Sequence, residues 1–251
     1  MFKFIKLTYQ YYKGANDTNP DLNKVFGFVH SLDNKQHKKL KAKFDTYPIA
    51  NKIYTGLSYR QRLDLQTFKS NTFGYDLQKW FKNADVDLFK ESLKTIKPKT
   101  NVEAKFFEHA MFQHDVIHML NKYDTSPMGE VMVLSFNLAK EWRWSYFAIL
   151  FSSLFMAIRN SFSIKKSFPG TLWQKIKYAP IVSYVRLVRE GYKVGKQAPW
   201  IMAVDFELFW NLPTNSVRKA LKIKKSYYWE HILPAWTKLH KKYQSNLQKE
   251  K

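Results

Sequence analysis

Apolar residues recur three or four positions apart along most of this chain, which is the spacing of one face of an α-helix. After a polar loop at residues 16–21, the first such series is Leu22, Val25, Phe26 and Val29. Further helices are predicted after Gly74, over residues 101–123, and again from Glu130 onward. The pattern is that of a largely helical protein.

Residues that form turns are few. The 251 residues include 8 Gly and 9 Pro, too few to supply the hairpins of a sandwich built from many short strands. Pro180 is expected to open one more helix in its first turn, with Gly191 and Gly195 marking its end. The fold class is therefore predicted to be all-α.

The most apolar stretch lies between Arg143 and Arg159, which enclose 15 uncharged residues. A helix that spans a bilayer needs about 20 apolar residues, so this stretch is too short unless Arg159 reaches back to the membrane surface. A buried helix is the first interpretation, a membrane-dipping helix is the second, and a true span is the last.

The charge of the chain narrows the class of partner. It carries 42 Lys and Arg against 20 Asp and Glu, a formal charge of +22, and 17% of its residues are aromatic. So many aromatic residues exclude intrinsic disorder, because disordered chains are poor in them. The sequence contains no zinc-finger spacing, no aromatic RNA-binding signature and no basic region followed by heptads, so nucleic acid is not predicted as a partner.

The basic residues are concentrated toward the end of the chain, where residues 165–251 hold 18 basic and five acidic side chains. Lys165, Lys166, Lys175 and Lys177 flank Trp173 just after the apolar stretch. Lysine beside tryptophan at the edge of an apolar helix is typical of an anionic membrane surface. These five residues are therefore predicted to face a membrane, and an ordinary basic surface is the alternative.

One cluster of residues carries chemistry. The chain has no cysteine, which leaves His, Asp and Glu as the strong metal ligands. His114, Asp115 and His118 share one arc of a predicted helix, and Glu130 follows after a turn that reverses the chain. Nitrogen and oxygen ligands of this kind suit a divalent metal, with zinc as the first choice and iron, manganese or cobalt as alternatives.

Two other interpretations of these residues stay open. The histidines could merely cap a helix or complete the core. A metal-dependent hydrolase is less favoured, because a zincin has Glu after its first histidine where this chain has Asp115; it would gain support if Glu108 or His109 lined the site as a base.

The motif of His114, Asp115, His118 and, after eleven intervening residues, Glu130 resembles the metal motif of the ubiquinone (coenzyme Q) biosynthesis protein family Coq4. The resemblance extends over about residues 8–225. It includes residues 16–18 leading into Val25 and Phe26, residues 191–198, and residues 203–210 with Val217 and Arg218.

This resemblance implies a single helical domain over residues 1–225, with a central metal-binding helix pair, apolar lipid-binding helices and a basic helical extension at 226–251. It implies a protein that binds a prenylated hydroxybenzoate at a membrane and replaces the ring carboxyl group by hydroxyl, an oxidative decarboxylation. Phe147, Phe151 and Phe155 would then sheath the prenyl tail. The rival hypothesis is a non-catalytic lipid-binding scaffold with a structural metal.

The family also implies partners, namely other enzymes of quinone biosynthesis, and a homodimer is compatible with it. Residues 1–7 place lysines among the apolar residues too early for a secretory signal. The expected location is cytoplasmic, peripheral on the inner face of a bacterial cell membrane.

Overall fold

The structure, a computed structural model, describes residues 33, 35–83, 98–165, 180–224, 226, 230 and 234. Most of them lie in α-helices: α1 (Pro48–Thr55), α2 (Tyr59–Asp64), α3 (Phe73–Asn83), α4 (Asn101–Asn121), α5 (Pro127–Leu138), α6 (Trp144–Lys165), α7 (Pro180–Gln197) and α8 (Thr214–Ala220). Short 3-10 turns at Ile201–Ala203 and Phe206–Phe209 precede α8, and residues 35–44 are also helical. These residues form no strand, so the predicted all-α class is confirmed.

Helix α4 lies at the centre of the fold, and most residues of its second half are buried. Val116, Ile117 and Leu120 are all buried, although they point in different directions around the helix. A helix with this pattern must be surrounded by other elements, and α4 contacts α1, α2, α3, α5 and the first 3-10 turn.

The two ends of α4 are held by polar side chains. At its start, the Thr100 hydroxyl accepts a hydrogen bond from the Glu103 backbone N–H at 3.1 Å. At its end, the buried Arg218 of α8 donates to the backbone carbonyls of Leu120 and Met119. A cation bonded to the last carbonyls of a helix also complements the helix dipole, so α8 anchors the end of α4.

Helices α5 and α7 pack backbone against backbone. Gly191 and Gly195 lie one turn apart on α7 and face α5, where a methyl group at Gly195 would lie 2.2 Å from the carbonyl oxygen of Phe136. The prediction that these glycines end the helix is wrong, because α7 continues to Gln197. They are instead the small residues that let two helices approach closely.

Helix α6 contains the apolar stretch and has two different faces. One face, which includes Ser145, Ala148 and Ser152, is buried. The other bears exposed aromatic rings that contact one another in sequence and continue into the preceding loop. We call this set the aromatic ridge: Trp142, Trp144, Phe147, Phe151 and Phe155. Of the helices in the described ranges, none is long and apolar enough to cross a bilayer.

Several predicted features lie outside the described residues. They are the opening helix around residues 16–29, residues 166–179 with Lys166, Trp173, Lys175 and Lys177, and nearly all of the extension at 226–251. Lys165 is the last residue of α6. The division into a domain at 1–225 and an extension stays a prediction.

Candidate metal centre

The turn between α4 and α5 brings the predicted ligands together. Lys122 ends α4 in the left-handed region, with φ of 58°. Ser126 then caps α5, because its hydroxyl accepts a hydrogen bond from the Gly129 backbone N–H at 3.3 Å. A side chain at Gly129 is excluded, since its Cβ would lie 1.9 Å from the carbonyl oxygen of Asp124. Only glycine permits this tight reversal, which places Glu130 over α4.

Three ligand atoms converge at this point. The Nε2 atoms of His114 and His118 are 3.1 Å apart. The Glu130 carboxylate places Oε2 at 3.2 Å from His114 Nε2 and Oε1 at 3.1 Å from His118 Nε2. Two imidazoles and one carboxylate therefore surround a single point.

The environment of His118 selects the tautomer that a metal requires. Its Nδ1 lies 3.3 Å from the backbone carbonyl oxygen of Tyr123. A carbonyl only accepts hydrogen bonds, so Nδ1 carries the hydrogen and Nε2 keeps its lone pair for the centre. The ring is buried and stacks on Trp80 of α3, with ring centroids 5.9 Å apart.

The electrostatics of the cluster favour a cation. Burial opposes ionisation of Glu130, yet His114 and His118 hold the pKa of this carboxyl well below its usual range. Burial likewise works against a charged His114, but Glu130 raises the pKa of that imidazole above its ordinary value. The carboxylate is thus ionised and attracts positive charge to the position between the rings.

The spacing of the donors fits a metal ion. Zn–N and Zn–O bonds of about 2.0–2.2 Å in tetrahedral geometry separate neighbouring ligands by roughly 3.3 Å, and the three observed separations are 3.1–3.2 Å. The side chains of Glu130 and His114 are 41% and 24% exposed, so one side of the cluster is open. Three protein ligands with an open position are typical of catalytic metal sites.

Asp115 is not part of this group. Among the described residues, the ligand atoms that gather within 4.8 Å belong to His114, His118 and Glu130. Asp115 lies near enough for both histidines and Arg60 to lower the pKa of its carboxyl, but burial outweighs them and raises it. Its role as a direct ligand stays a prediction.

His109, the base that a hydrolase would use, points elsewhere. Its Nε2 lies 2.9 Å from the backbone carbonyl oxygen of Met202, and the ring is buried beneath Tyr59 and Phe44. Burial lowers the pKa of His109 to about 4. It is a neutral core histidine that joins α4 to the first 3-10 turn.

Sequence reasoning missed a polar cleft beside His114. Its lining includes Gln113 from α4, Glu141 and Arg143 from the loop before α6, Tyr146 from α6, and Trp200 after α7. From the sequence, Arg143 was predicted only to bound an apolar stretch. No local pattern indicates that these distant residues meet, because tertiary packing alone brings them together.

Comparisons with known proteins agree with these observations. The family model described as Coenzyme Q (ubiquinone) biosynthesis protein Coq4 matches residues 58–226, which include the whole cluster. No curated protein matches the chain at a significant level. A crystal structure of a proposed ubiquinone biosynthesis protein from Nostoc punctiforme is similar, with a TM-score of 0.58 over 89% of this chain and 98% of that chain. The two sequences are 17% identical, so this likeness supports the fold alone.

Removing one ligand should abolish metal retention. We expect Glu130→Gln and His118→Ala each to weaken the affinity for zinc by more than about 100-fold. Mutating a residue that only supports a ligand costs about 10- to 100-fold, so the loss of a ligand should exceed that range. The bound metal per chain is measured by elemental analysis after dialysis. Glu108→Gln, the same change on a partly exposed residue of α4, is the matched control and should keep its metal. Full occupancy in Glu130→Gln would contradict the assignment.

Burial of neutral His109 should make stability depend on pH. The pKa of this imidazole falls from 6.5 when unfolded to about 4 when folded, so the unfolded chain binds the extra proton. The contribution is complete above pH 6.5 and is lost as the pH falls toward 4. Between pH 7.5 and 5 the wild type should lose about 2 kcal/mol of unfolding free energy from this group. In urea titrations at these two pH values, the unfolding free energy of His109→Gln should fall by about 2 kcal/mol less than that of the wild type. Equal falls in the two proteins would refute the assignment of His109 as a neutral core histidine.

Proposed function

The chain belongs to the Coq4 family of coenzyme Q (ubiquinone) biosynthesis proteins, and from this premise we propose that it acts on a prenylated hydroxybenzoate at a membrane. The proposed reaction replaces the ring carboxyl group by hydroxyl and depends on a divalent metal, with zinc as the first choice. The observation that carries the proposal is the convergence of His114, His118 and Glu130 on one side of the α4–α5 turn, with an open position beside them.

The atoms of this reaction balance only with an oxidant. The bond between the ring and its carboxyl carbon breaks, and carbon dioxide leaves. One atom of dioxygen becomes the new ring hydroxyl, and the other becomes water with two electrons and two protons from a reductant. Zinc is redox-inactive, so with zinc these two electrons must come from a partner protein or an added reductant.

The residues of the chain have defined parts in this proposal. A bound divalent metal would supply a Lewis acid for the carboxylate and phenol oxygens of the ring. His118 is held by the Tyr123 carbonyl, and Glu130 is held by the glycine turn. Both ligands are thus fixed before the substrate arrives. His114 borders the polar cleft, so a ring bound at the cluster would meet that cleft.

The proposal also includes contact between the aromatic ridge and the prenyl tail or the membrane. Each buried methylene of a tail contributes about 0.8 kcal/mol, so a long tail dominates affinity. Phe147, Phe151 and Phe155 belong to the exposed aromatic ridge, with Phe155 at 52% exposure. Helix α6 contains no acidic residue along its 22 positions. An exposed aromatic surface without negative charge supports contact with a tail or with anionic lipid.

Turnover distinguishes the enzyme from its rival, a lipid-binding scaffold that serves other quinone-biosynthesis enzymes. We expect the metal-loaded protein, given a geranylated 4-hydroxybenzoate, a reductant and isotopically labelled dioxygen, to form the ring-hydroxylated product with labelled oxygen, detected by mass spectrometry. Glu108→Gln should match the wild type, whereas Glu130→Gln should form no product. Substrate binding without turnover, even with partner enzymes added, would contradict the proposed enzymatic activity and favour the scaffold hypothesis.

Membrane binding should depend on charge. Flotation with vesicles should increase with the fraction of anionic phosphatidylglycerol and decrease with added salt. Replacing Lys165, Lys166, Lys175 and Lys177 together by Gln should weaken binding to anionic vesicles by at least about tenfold, while binding to neutral vesicles stays unchanged. Trp142→Ala with Phe155→Ala should weaken binding to both kinds of vesicle. Equal flotation with neutral and anionic vesicles would show that these lysines do not bind anionic lipid.

A further inference from the structure

His118 is the most deeply buried member of the metal cluster. Its side chain is 2% exposed, whereas those of His114 and Glu130 are 24% and 41% exposed. Both nitrogens of its ring have neighbours, because Nε2 faces the other two ligands and Nδ1 lies 3.3 Å from the Tyr123 carbonyl oxygen. Since solvent hardly reaches this imidazole, its orientation is set by the side chains packed around it.

Contacts in the plane of the His118 imidazole leave one motion open. The contacts of Nε2 and Nδ1 hold two points of the ring, but the ring can still rock about the line that joins these two atoms. Rocking swings the lone pair of Nε2 away from the cation that it would bind, and a misdirected lone pair weakens the bond to a metal. A group packed flat on a face of the imidazole opposes this motion.

Trp80 supplies such a contact on the face of the His118 ring. The two rings are stacked, with centroids 5.9 Å apart and planes inclined by 20°, which is typical of an offset-stacked aromatic pair. Trp80 also packs against the buried core. Its indole Nε1 has no hydrogen-bond partner within the part of the chain that the structure describes. Trp80 therefore meets the cluster through its ring and not through its N–H group.

The helix that carries Trp80 is fixed to its neighbours by hydrogen bonds. At the start of α3, the backbone N–H of Phe73 donates to the carbonyl oxygen of Leu212 at 2.7 Å. In the middle of α3, Gln78 Nε2 donates at 2.8 Å to the carbonyl oxygen of Leu63 in α2. A ring on an anchored helix can orient the metal ligand that it touches, because its own position is fixed before the metal binds.

We propose that Trp80 is a positioning residue of the metal centre, which holds the plane of His118 and stabilises the metal-bound form of this imidazole. An imidazole whose Nε2 binds a divalent cation carries part of the positive charge. The faces of aromatic rings attract positive charge, and tryptophan is the most effective of the aromatic residues. The inference rests on the metal centre of the proposed function and adds to it a residue outside the predicted motif.

The test compares Trp80→Phe, which keeps an aromatic ring, with Trp80→Leu, which removes it. Neither change removes a side-chain hydrogen bond among the described residues, so the ring is what differs. Competition with a chromophoric chelator gives the affinity for zinc, and urea titration gives the unfolding free energy of the metal-free protein. Trp80→Leu should weaken the affinity for zinc by about tenfold, and Trp80→Phe should weaken it by about threefold or less.

Phe73→Leu is the matched control for the loss of packing. Phe73 is fully buried about two turns earlier on the same helix, and it stacks on Phe206 with centroids 5.6 Å apart. Its truncation should lower the unfolding free energy of the metal-free protein, because a buried ring is lost, and should leave the affinity for zinc unchanged. Equal losses of zinc affinity in Phe73→Leu and Trp80→Leu would overturn the inference, since general packing would then explain both.

The outcomes separate this inference from the proposed function. Trp80→Leu with the zinc affinity of the wild type would overturn the role of Trp80 and leave the metal centre intact. A wild type that binds no zinc would overturn both. If Trp80→Leu does not fold, Trp80→Met takes its place, because a flexible methionine side chain fills irregular gaps in a core. Equal zinc affinities of Trp80→Met and Trp80→Phe would then overturn the role of the aromatic face.

Discussion

The structure depends on bringing two imidazole nitrogens and one carboxylate within 3.2 Å of one another at the α4–α5 turn. Two lone pairs that face each other repel unless a proton or a cation lies between them. The carboxylate of Glu130 makes the position strongly attractive to positive charge. A divalent metal satisfies all three groups at once, whereas a proton can serve only two. The electrostatics of these three groups thus favour a cation between them, whichever reaction the site serves.

The surrounding fold keeps these three groups in place. Gly129 allows the chain to reverse closely enough for Glu130 to reach α4. Arg218 bonds to the last carbonyls of α4 and fixes the helix that carries both histidines. Gly191 and Gly195 let α7 pack directly against the backbone of α5, which holds the helix that carries Glu130. Residues remote from the metal motif thus act through the two helices that bear it.

Patterns within one helix or one turn could be predicted from the sequence. The helical spacing predicted the all-α class, and the interval from His118 to Glu130 predicted a chain reversal that returns the carboxylate to the histidines. Features that arise from packing could not. Gly191 and Gly195 suggested a helix end because glycine commonly follows a helix, yet here the missing side chain serves a close contact with α5. Trp200 is far in sequence from Glu141 and Arg143 and meets them only in the folded chain, so no local pattern predicted the cleft.

The family and the donor geometry support one proposed picture, in which a divalent metal held by His114, His118 and Glu130 would meet the carboxylate of an aromatic acid. X-ray absorption spectroscopy of the purified protein at the edge of its bound metal tests the basis of this picture most directly. We expect two imidazole nitrogens and a carboxylate oxygen at about 2.0–2.2 Å from the metal, with a remaining position filled by water. A spectrum with only oxygen neighbours, or with a single imidazole, would contradict the assignment of His114, His118 and Glu130 as one metal centre.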